Sequence, residues 1–224
     1  MLVNTMIDVD FLSSINLFSE VDHDLLKPIV EKSSVSELQR GDILFSEGDT
    51  ANDLYIVLDG RVAIANRSFD GRESVVALME SGDLFGEMPL FHPDGRSADA
   101  RVLENSSVVI IPYAPVKALY SEHPQLLWKI VDMLTERLKT MDVALADSMF
   151  LDVTGRTAKR LLELAGKSEE FELPVTQEEL AGMIGASRER VNKSLSSFIK
   201  LGWLAQSGEK YVILDRKQLE IRST

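Results

Sequence analysis

The feature that most constrains this chain is a series of glycine turns in residues 35–115, separated by short runs rich in Val, Ile and Leu. The turn sequences are Arg40-Gly41-Asp42, Glu47-Gly48-Asp49, Asp59-Gly60, Asp70-Gly71 and Ser81-Gly82-Asp83. These glycines recur every 7 to 12 residues, and glycine suits a hairpin corner because it adopts positive φ without strain. The pattern predicts a small all-β roll or barrel, with strands such as 53–58, 61–65 and 74–79.

Residues 116–150 are expected to form mainly one long helix, because no glycine or proline interrupts residues 125–150. Leu127, Leu134, Met141 and Ser148 recur every seven residues, Ile130 and Ala144 fill the seam, and Leu138 and Leu145 form a flanking stripe. The helix therefore has two usable apolar faces, one to cover the roll and one to meet a second copy. Packing wholly within one chain is the alternative. Arg137 falls on a seam position, so any coiled coil should be short and imperfect.

Residues 151–224 combine helical patterns with a terminal hairpin. The predicted pieces are a helix over Thr157–Ala165 closed by Gly166, a short helix over 177–183, a turn at Gly185-Ala186, a helix opened by Ser187 and ended by Gly202, and a hairpin over 204–214. Thr176 and Glu179 have the spacing of a capping box. A short helix, a glycine turn and a second helix with polar residues at its start is the geometry that enters a DNA major groove.

The charge of the chain is unevenly distributed. There are 24 Lys/Arg and 36 Asp/Glu, a net charge of −12, which by itself argues against a nucleic-acid partner. Residues 151–224 hold 12 of the basic and 11 of the acidic side chains, so the acidic excess lies in the first 150 residues. Such asymmetry favours a partner-based explanation, although on charge alone a solvated helix face would also account for the basic residues in 182–202.

Composition excludes several classes of protein. The absence of cysteine rules out disulfides, cysteine-bound zinc and iron–sulfur clusters, and three scattered histidines suggest neither a metal site nor a required cofactor. No apolar run approaches the ~18 residues of a spanning helix, and no export signal is visible, which predicts a cytoplasmic protein with no membrane partner. No Walker-type loop, G-x-S-x-G or zinc-protease motif suggests an enzyme.

The segments 85–91 and 95–98 contain a candidate ligand site. Gly86 would let a ligand approach the backbone closely, and the Glu87 carboxylate can accept two hydroxyl hydrogen bonds. Arg96 and Ser97 offer a charged fork beside a hydroxyl, which suits a phosphate. Each feature alone is weak, because a lone Glu–Arg pair is usually a surface ion pair.

A second set of candidate residues lies around the predicted glycine turn of residues 176–193. Arg188 and Lys193 can donate to guanine O6 and N7, while Glu189 can accept from cytosine N4. Residues suited to flanking phosphates and to the helix starts are Thr176, Gln177, Ser187, Arg190 and Lys200.

In their order, Gly86, Glu87, Arg96 and Ser97 resemble the phosphate-binding cassette of cyclic-nucleotide-binding domains. Segments 150–156, 176–181 and 185–193 resemble the winged helix-turn-helix of the cyclic AMP receptor (Crp/Fnr) family. Together the resemblances cover almost the whole chain. They imply an α+β fold: an N-terminal cyclic-nucleotide-binding β-roll, or jelly roll, with N-terminal helices (1–115), a long dimerisation helix and hinge (116–150), and a winged helix-turn-helix DNA-binding domain (151–224).

The resemblance also implies roles for the candidate residues. Gly86 and Glu87 would hold a ribose, Arg96 and Ser97 a cyclic phosphate, and Met88 would belong to the same site. Arg188, Glu189 and Lys193 would contact bases. The implied effector is a cyclic nucleotide, with cyclic AMP as first choice, and the implied partners are double-stranded operator DNA, a second copy of the chain and RNA polymerase.

One departure from the family pattern leaves the effector open. Family members that bind cyclic AMP carry a Thr-Ser pair on the long helix that touches the adenine across the dimer, and the matching positions here are Met141 and Asp142. Met141 can pack on a purine but lacks a threonine's hydrogen bond, while Asp142 could accept an exocyclic amine or simply be solvated. Two alternatives remain: a regulator of the same fold with a different effector or none, and a cyclic-nucleotide-binding module without a DNA role. The second leaves the helix-turn-helix unexplained.

Overall fold

The computed structural model describes residues 7–67, 73–92, 94–173, 175–208 and 210–224. The predicted turn at Asp70-Gly71 and the hairpin residue Glu209 lie outside these ranges. The backbone divides into two compact units, one of residues 1–72 and 76–138 and the other of residues 73–75 and 139–224.

Up to residue 112 the described ranges form eight strands in two sheets. They are β1 (Ser34–Leu38), β2 (Ile43–Phe45), β3 (Asp53–Asp59), β4 (Val62–Arg67), β5 (Glu73–Met79), β6 (Leu84–Phe85), β7 (Asp99–Val102) and β8 (Ser106–Pro112). The sheet orders are β1-β8-β3-β6 and β2-β7-β4-β5, and the neighbours β3–β8, β3–β6 and β4–β7 are antiparallel. The all-β roll predicted from the glycine turns is confirmed.

Strands β3 and β8 contribute to two cores, because successive side chains of a strand point to opposite faces. One core packs Leu54, Ile56, Val109 and Ile111 with apolar residues of the surrounding helices. The other packs Tyr55, Val57 and Val108 with Val62, Ala100 and Val102. The helices of this part are α1 (Val9–Ser14), α2 (His23–Lys32), α3 (Met88–Phe91), α4 (Tyr113–Glu122) and α5 (Leu127–Phe150), with 3₁₀ turns over Asn16–Phe18 and Pro124–Leu126.

Helix α5 confirms the predicted long helix but corrects the assignment of its faces. Ile130 and Met133 are buried in the core of the first unit, and Arg137, on the same face, forms an ion pair with Glu87. Six of the exposed apolar side chains form a stripe with alternating spacings of four and three residues: Leu127, Val131, Leu134, Leu138, Met141 and Leu145. The prediction that placed Ile130 and Arg137 on the coiled-coil seam is wrong, because both side chains pack toward the roll.

The second unit contains the predicted helix-turn-helix and hairpin. Its elements are α6 (Val153–Ala165), α7 (Gln177–Ile184), α8 (Arg188–Lys200), α9 (Arg216–Arg222), β9 (Glu170–Glu172), β10 (Leu204–Ser207) and β11 (Lys210–Ile213). The strands are ordered β10-β11-β9. Helix α6 begins at Val153, earlier than the predicted Thr157, because the Asp152 side chain caps it by accepting from the Gly155 N–H at 2.8 Å. None of the helices in the described ranges is long and apolar enough to cross a membrane.

Candidate functional site

Strand pairing positions the glycine of the candidate ligand site. In the β3–β6 pair, Tyr55 lies opposite Phe85, so the chain leaves β6 at Gly86 beside the Tyr55 ring. Gly86 has φ +75°, and a Cβ there would come within 2.7 Å of Arg96 Nη1 and 3.2 Å of Tyr55 Cδ2. The close approach predicted for Gly86 therefore involves the protein's own guanidinium and ring.

Arg96 is only 4% exposed, and its guanidinium is held by three acceptors. Nη1 donates to the Gly86 carbonyl at 2.7 Å and to the Tyr113 hydroxyl at 3.1 Å, and Nη2 donates to the Asp53 carbonyl at 2.8 Å. Nε is buried and has no hydrogen-bond partner among the described residues. One edge of a fixed, charged fork thus keeps its donor capacity.

Aromatic rings surround the Arg96 side chain. Its guanidinium carbon lies 4.1 Å from the centroid of the Phe45 ring and 5.3 Å from that of Tyr55. The Tyr55 and Phe85 rings stack at 5.3 Å. A cation over ring faces gains electrostatic stabilisation, so these rings help to hold the positive charge in a nearly dry position.

Glu87 is the second buried charge, with 1% exposure. Its Oε1 accepts from Nη1 of Arg137. The Nη2 of the same arginine donates to the Leu84 carbonyl at 2.7 Å. Its Oε2 is buried without a partner among the described residues. A carboxylate with one oxygen neutralised and the other unused can accept hydroxyl hydrogen bonds from a ligand.

The remaining predicted ligand residues fall into two groups. Ser97 is exposed beside Arg96, and its hydroxyl contacts the Met88 Sδ at 3.4 Å. Gly86, Glu87, Met88, Arg96 and Ser97 therefore form one contiguous cluster. Met141 and Asp142 are exposed on the part of α5 that belongs to the second unit.

Chemically, this cluster combines donors and an acceptor beside one glycine turn. The Arg96 fork and the Ser97 hydroxyl offer positive charge and O–H donation, as an anionic phosphate requires. The free oxygen of Glu87 accepts, as sugar hydroxyls require. Tyr55 and Tyr113 remain protonated donors because burial raises the pKa of each hydroxyl, that of Tyr113 to about 12.

The candidate DNA-contacting residues lie on the outer face of α8. Val191, Ser194, Leu195 and Phe198 are buried, which leaves Arg188, Glu189, Arg190 and Lys193 exposed. The side chains of Arg188, Glu189 and Lys193 make no hydrogen bond or ion pair with the described residues. At a rise of about 1.5 Å per residue, Arg188 and Lys193 lie about 7.5 Å apart along the axis, which spans two to three base pairs.

The start of each helix of the predicted pair carries its own cap. Thr176 Oγ1 accepts from the Glu179 N–H at 3.2 Å, and the Glu179 carboxylate accepts from the Thr176 N–H at 2.7 Å. Ser187 Oγ accepts from the Arg190 N–H at 3.4 Å. Because each hydroxyl accepts in its cap, its proton stays available for a phosphate oxygen. Gln177, the first residue of α7, is half-buried.

Sequence reasoning missed four residues that contact the ligand cluster. Phe45, Tyr55 and Tyr113 come from distant strands and from the start of α4, and no local motif marks them. Arg137 did have a signal, because it is a lone basic residue on an apolar stripe. That signal was interpreted as a defect in a coiled coil, whereas the structure makes it the partner of Glu87.

Family models match both parts of the chain. A cyclic nucleotide-binding domain model matches residues 35–123, and a Crp-like helix-turn-helix domain model matches residues 155–222. The first range contains the whole ligand cluster but not Arg137, the partner of Glu87, and the second contains α7, α8 and the hairpin.

Two bacterial transcription regulators extend the match to most of the chain. The CRP-like cAMP-activated global transcriptional regulator of Mycobacterium tuberculosis is 33% identical over 221 residues, which covers 96% of this chain and 99% of that protein. The cAMP-activated global transcriptional regulator Vfr of Pseudomonas aeruginosa is 32% identical over 74% of this chain and 82% of its own length.

Solved structures agree with these matches. The c-di-GMP-responsive global regulator CLP of Xanthomonas campestris is 28% identical with a TM-score of 0.74, covering 86% of this chain and 99% of that one. FixK2 of Bradyrhizobium japonicum supports the fold. It is 21% identical with a TM-score of 0.77, and the match covers 86% of this chain and 98% of that one. With both family models and a full-length relative in agreement, the chain belongs to the Crp/Fnr family of DNA-binding transcription regulators.

Proposed function

We propose that this regulator binds a cyclic nucleotide, with cyclic AMP as first choice, in the cluster around Gly86, and that binding raises its affinity for operator DNA. Gly86 and Glu87 hold the ribose, Arg96 and Ser97 hold the cyclic phosphate, and Met88 lines the site. The three segments 1–115, 116–150 and 151–224 then serve sensing, dimerisation and DNA binding in turn.

The observation that carries the proposal is a pair of unsatisfied buried atoms on complementary charges. Glu87 Oε2 and Arg96 Nε are both buried and lack partners in the described ranges, and unsatisfied buried polar atoms are rare in native proteins. One is an acceptor on Glu87, next to Gly86 in the chain, and the other is a charged donor on Arg96, whose Nη1 donates to the Gly86 carbonyl. A ribose joined to a phosphate supplies the matching donor and acceptor.

The output of the regulator is proposed to be a homodimer on DNA. The exposed apolar stripe of α5 from Leu127 to Leu145, with spacings of four and three residues, suits a two-stranded coiled coil, and removing it from water is favourable. Two α8 helices about 34 Å apart would enter successive major grooves, with Arg188, Glu189 and Lys193 at base edges. Thr176, Gln177, Ser187 and Arg190 would contact phosphates, and RNA polymerase would be the downstream partner.

Calorimetric titration of the purified protein with cyclic AMP and cyclic GMP tests the effector. We expect the wild type to bind one of them and Arg96→Ala to bind at least 100-fold more weakly, because charge-assisted hydrogen bonds contribute about 1.5–3 kcal/mol each. Since Arg96 is buried, Ser97→Ala is the second variant. It removes an exposed hydroxyl without unfolding the roll and should weaken binding about tenfold.

Arg40→Ala is the matched control, because Arg40 is an exposed arginine of the same roll and its loss should leave the titration unchanged. Operator affinity, measured by fluorescence anisotropy, should rise when the bound nucleotide is added, since coupling between two ligands is reciprocal. A wild type that binds neither nucleotide would refute the proposed effector class.

The second candidate is the same regulator with a different effector, and Met141-Asp142 favours it. A threonine-serine pair that could hydrogen-bond an adenine is replaced by a thioether and a carboxylate. The Xanthomonas relative is described as responsive to c-di-GMP, so c-di-GMP belongs in the same titration. Tight binding of c-di-GMP without cyclic AMP binding would select this candidate.

A further inference from the structure

The Tyr113 hydroxyl lies between the two halves of the ligand cluster. It donates to the Gly86 carbonyl and accepts from Arg96 Nη1 at 3.1 Å. We propose that Tyr113 is a positioning residue, which ties the backbone turn at Gly86 and the Arg96 guanidinium into one rigid unit. The inference rests on the proposed function, because these are the two groups proposed to hold ribose and phosphate.

The fold places Tyr113 securely for this role. Tyr113 is the first residue of α4, it is 5% exposed, and its N–H donates to the Asn52 carbonyl at 2.7 Å. In the β3–β8 pair, the preceding Pro112 lies opposite Asp53, whose carbonyl accepts from Arg96 Nη2 at 2.8 Å. Tyrosine and guanidinium are therefore anchored at the same strand end.

The hydroxyl serves as donor and acceptor together. Gly86 O accepts both from Tyr113 and from Arg96 Nη1, the latter at 2.7 Å, so the three groups form a closed triangle. Burial raises the pKa of Tyr113 to about 12, although nearby Arg96 opposes the shift, so the hydroxyl keeps its proton at neutral pH. Without the Tyr113 hydroxyl, Arg96 Nη1 loses an acceptor in a buried position, while no proposed ligand contact is removed. Affinity then falls because the ligand must bind a less ordered fork.

Tyr120 provides a matched control on the same helix. Its hydroxyl is also buried and donates to the Leu17 carbonyl at 2.9 Å, but within the described ranges it makes no hydrogen bond to a residue of the ligand cluster. Tyr120→Phe deletes one buried hydroxyl hydrogen bond, whereas Tyr113→Phe deletes two. We expect both variants to lose thermal stability, but only Tyr113→Phe should weaken nucleotide binding, by about tenfold.

Two further measurements distinguish a positioning role of Tyr113 from a general loss of stability. Hydrogen exchange of the Arg96 guanidinium, followed by NMR on ¹⁵N-arginine-labelled protein and assigned with Arg96→Lys, should accelerate in Tyr113→Phe and stay unchanged in Tyr120→Phe without any nucleotide present. In the Arg96→Lys background, Tyr113→Phe should cause little further loss of affinity, because residues that act as a unit are not additive.

The outcomes distinguish this inference from the proposed function. Wild-type exchange and wild-type affinity in Tyr113→Phe would overturn the inference, as would equal weakening by Tyr120→Phe. A wild type that binds no nucleotide, but whose Arg96 exchange still depends on Tyr113, would refute the proposed effector and retain the positioning role.

Discussion

The ligand cluster of the roll and the outer face of α8 both carry charges that we propose to bind ligands, but they hold these charges in opposite environments. Glu87 and Arg96 are almost fully buried, whereas Arg188, Glu189 and Lys193 are exposed. A buried charge needs partners because leaving water is expensive, so the cluster is built into the fold of the roll. An exposed charge needs none, so the α8 face can change without affecting stability. Substitutions should therefore alter stability and binding together in the roll, and binding alone on α8.

The largest loss of stability should come from Arg137→Ala, and it should exceed the loss from Glu87→Ala. Losing Arg137 strands a carboxylate that is 1% exposed, and we expect a loss of about 3 kcal/mol in unfolding free energy. Losing Glu87 leaves a guanidinium whose side chain is 37% exposed and can be solvated, so the loss should be about half as large. Urea denaturation followed by circular dichroism measures both. Adding Glu87→Gln to Arg137→Ala should recover stability, and equal losses from the two single variants would contradict the explanation.

Two glycines with positive φ sharpen the comparison. Gly86→Ala should destabilise by about 2–3 kcal/mol, since its Cβ would clash with Arg96 Nη1 at 2.7 Å in addition to the backbone strain. Gly185→Ala, between α7 and α8, has φ +66° but no atom within 4 Å of its Cβ, so only the left-handed backbone costs about 1 kcal/mol. Thermal unfolding ranks the two. A greater loss of thermal stability from Gly185→Ala would show that the Arg96 side chain moves away from a Cβ at position 86 at little cost.

Arg188→Ala tests the other half of the comparison. We expect operator binding to weaken by about 1–3 kcal/mol, the size of a bidentate base contact, with less than about 0.5 kcal/mol change in stability. Anisotropy titrations on an operator and on a base-substituted operator measure affinity and specificity. Lys217→Ala, an exposed basic residue on α9, is the control and should leave specificity unchanged. A marked loss of stability in Arg188→Ala would contradict the assignment of α8's outer face as free of structural roles.

The smallest effect concerns Asp152, the cap of α6. Its pKa is lowered by the hydrogen bond from the Gly155 N–H and then by Arg222, whose Nη2 lies 2.5 Å from Oδ1. Because the folded pKa lies below the unfolded value, its stabilisation is present above about pH 4 and disappears as the pH falls through the folded pKa. Urea denaturation between pH 7 and pH 3 should show a shallower acid dependence for Asp152→Asn. Parallel curves for variant and wild type would rule out this contribution.

Local patterns predicted much of the fold and the composition of the site. The capping box from Thr176 to Glu179 was predictable because both partners lie within one helical turn. The roll was predictable because its glycine corners recur regularly, and the pairing of Arg96 with Ser97 was predictable because the two residues are neighbours in the chain. The faces of α5 were not, since heptad spacing identifies an apolar stripe without indicating which partner covers it.

The sequence by itself determined the order of the main elements, the caps at Thr176 and Ser187, and the kinds of side chain available to each site. These properties depend on neighbours within a few residues, whose geometry the backbone constrains directly. Only the tertiary structure decided that Arg137 neutralises Glu87 and that Tyr113 joins Gly86 to Arg96. Those contacts join the ends of strands and helices far apart in the chain, and they exist because strand register and core packing bring these ends together.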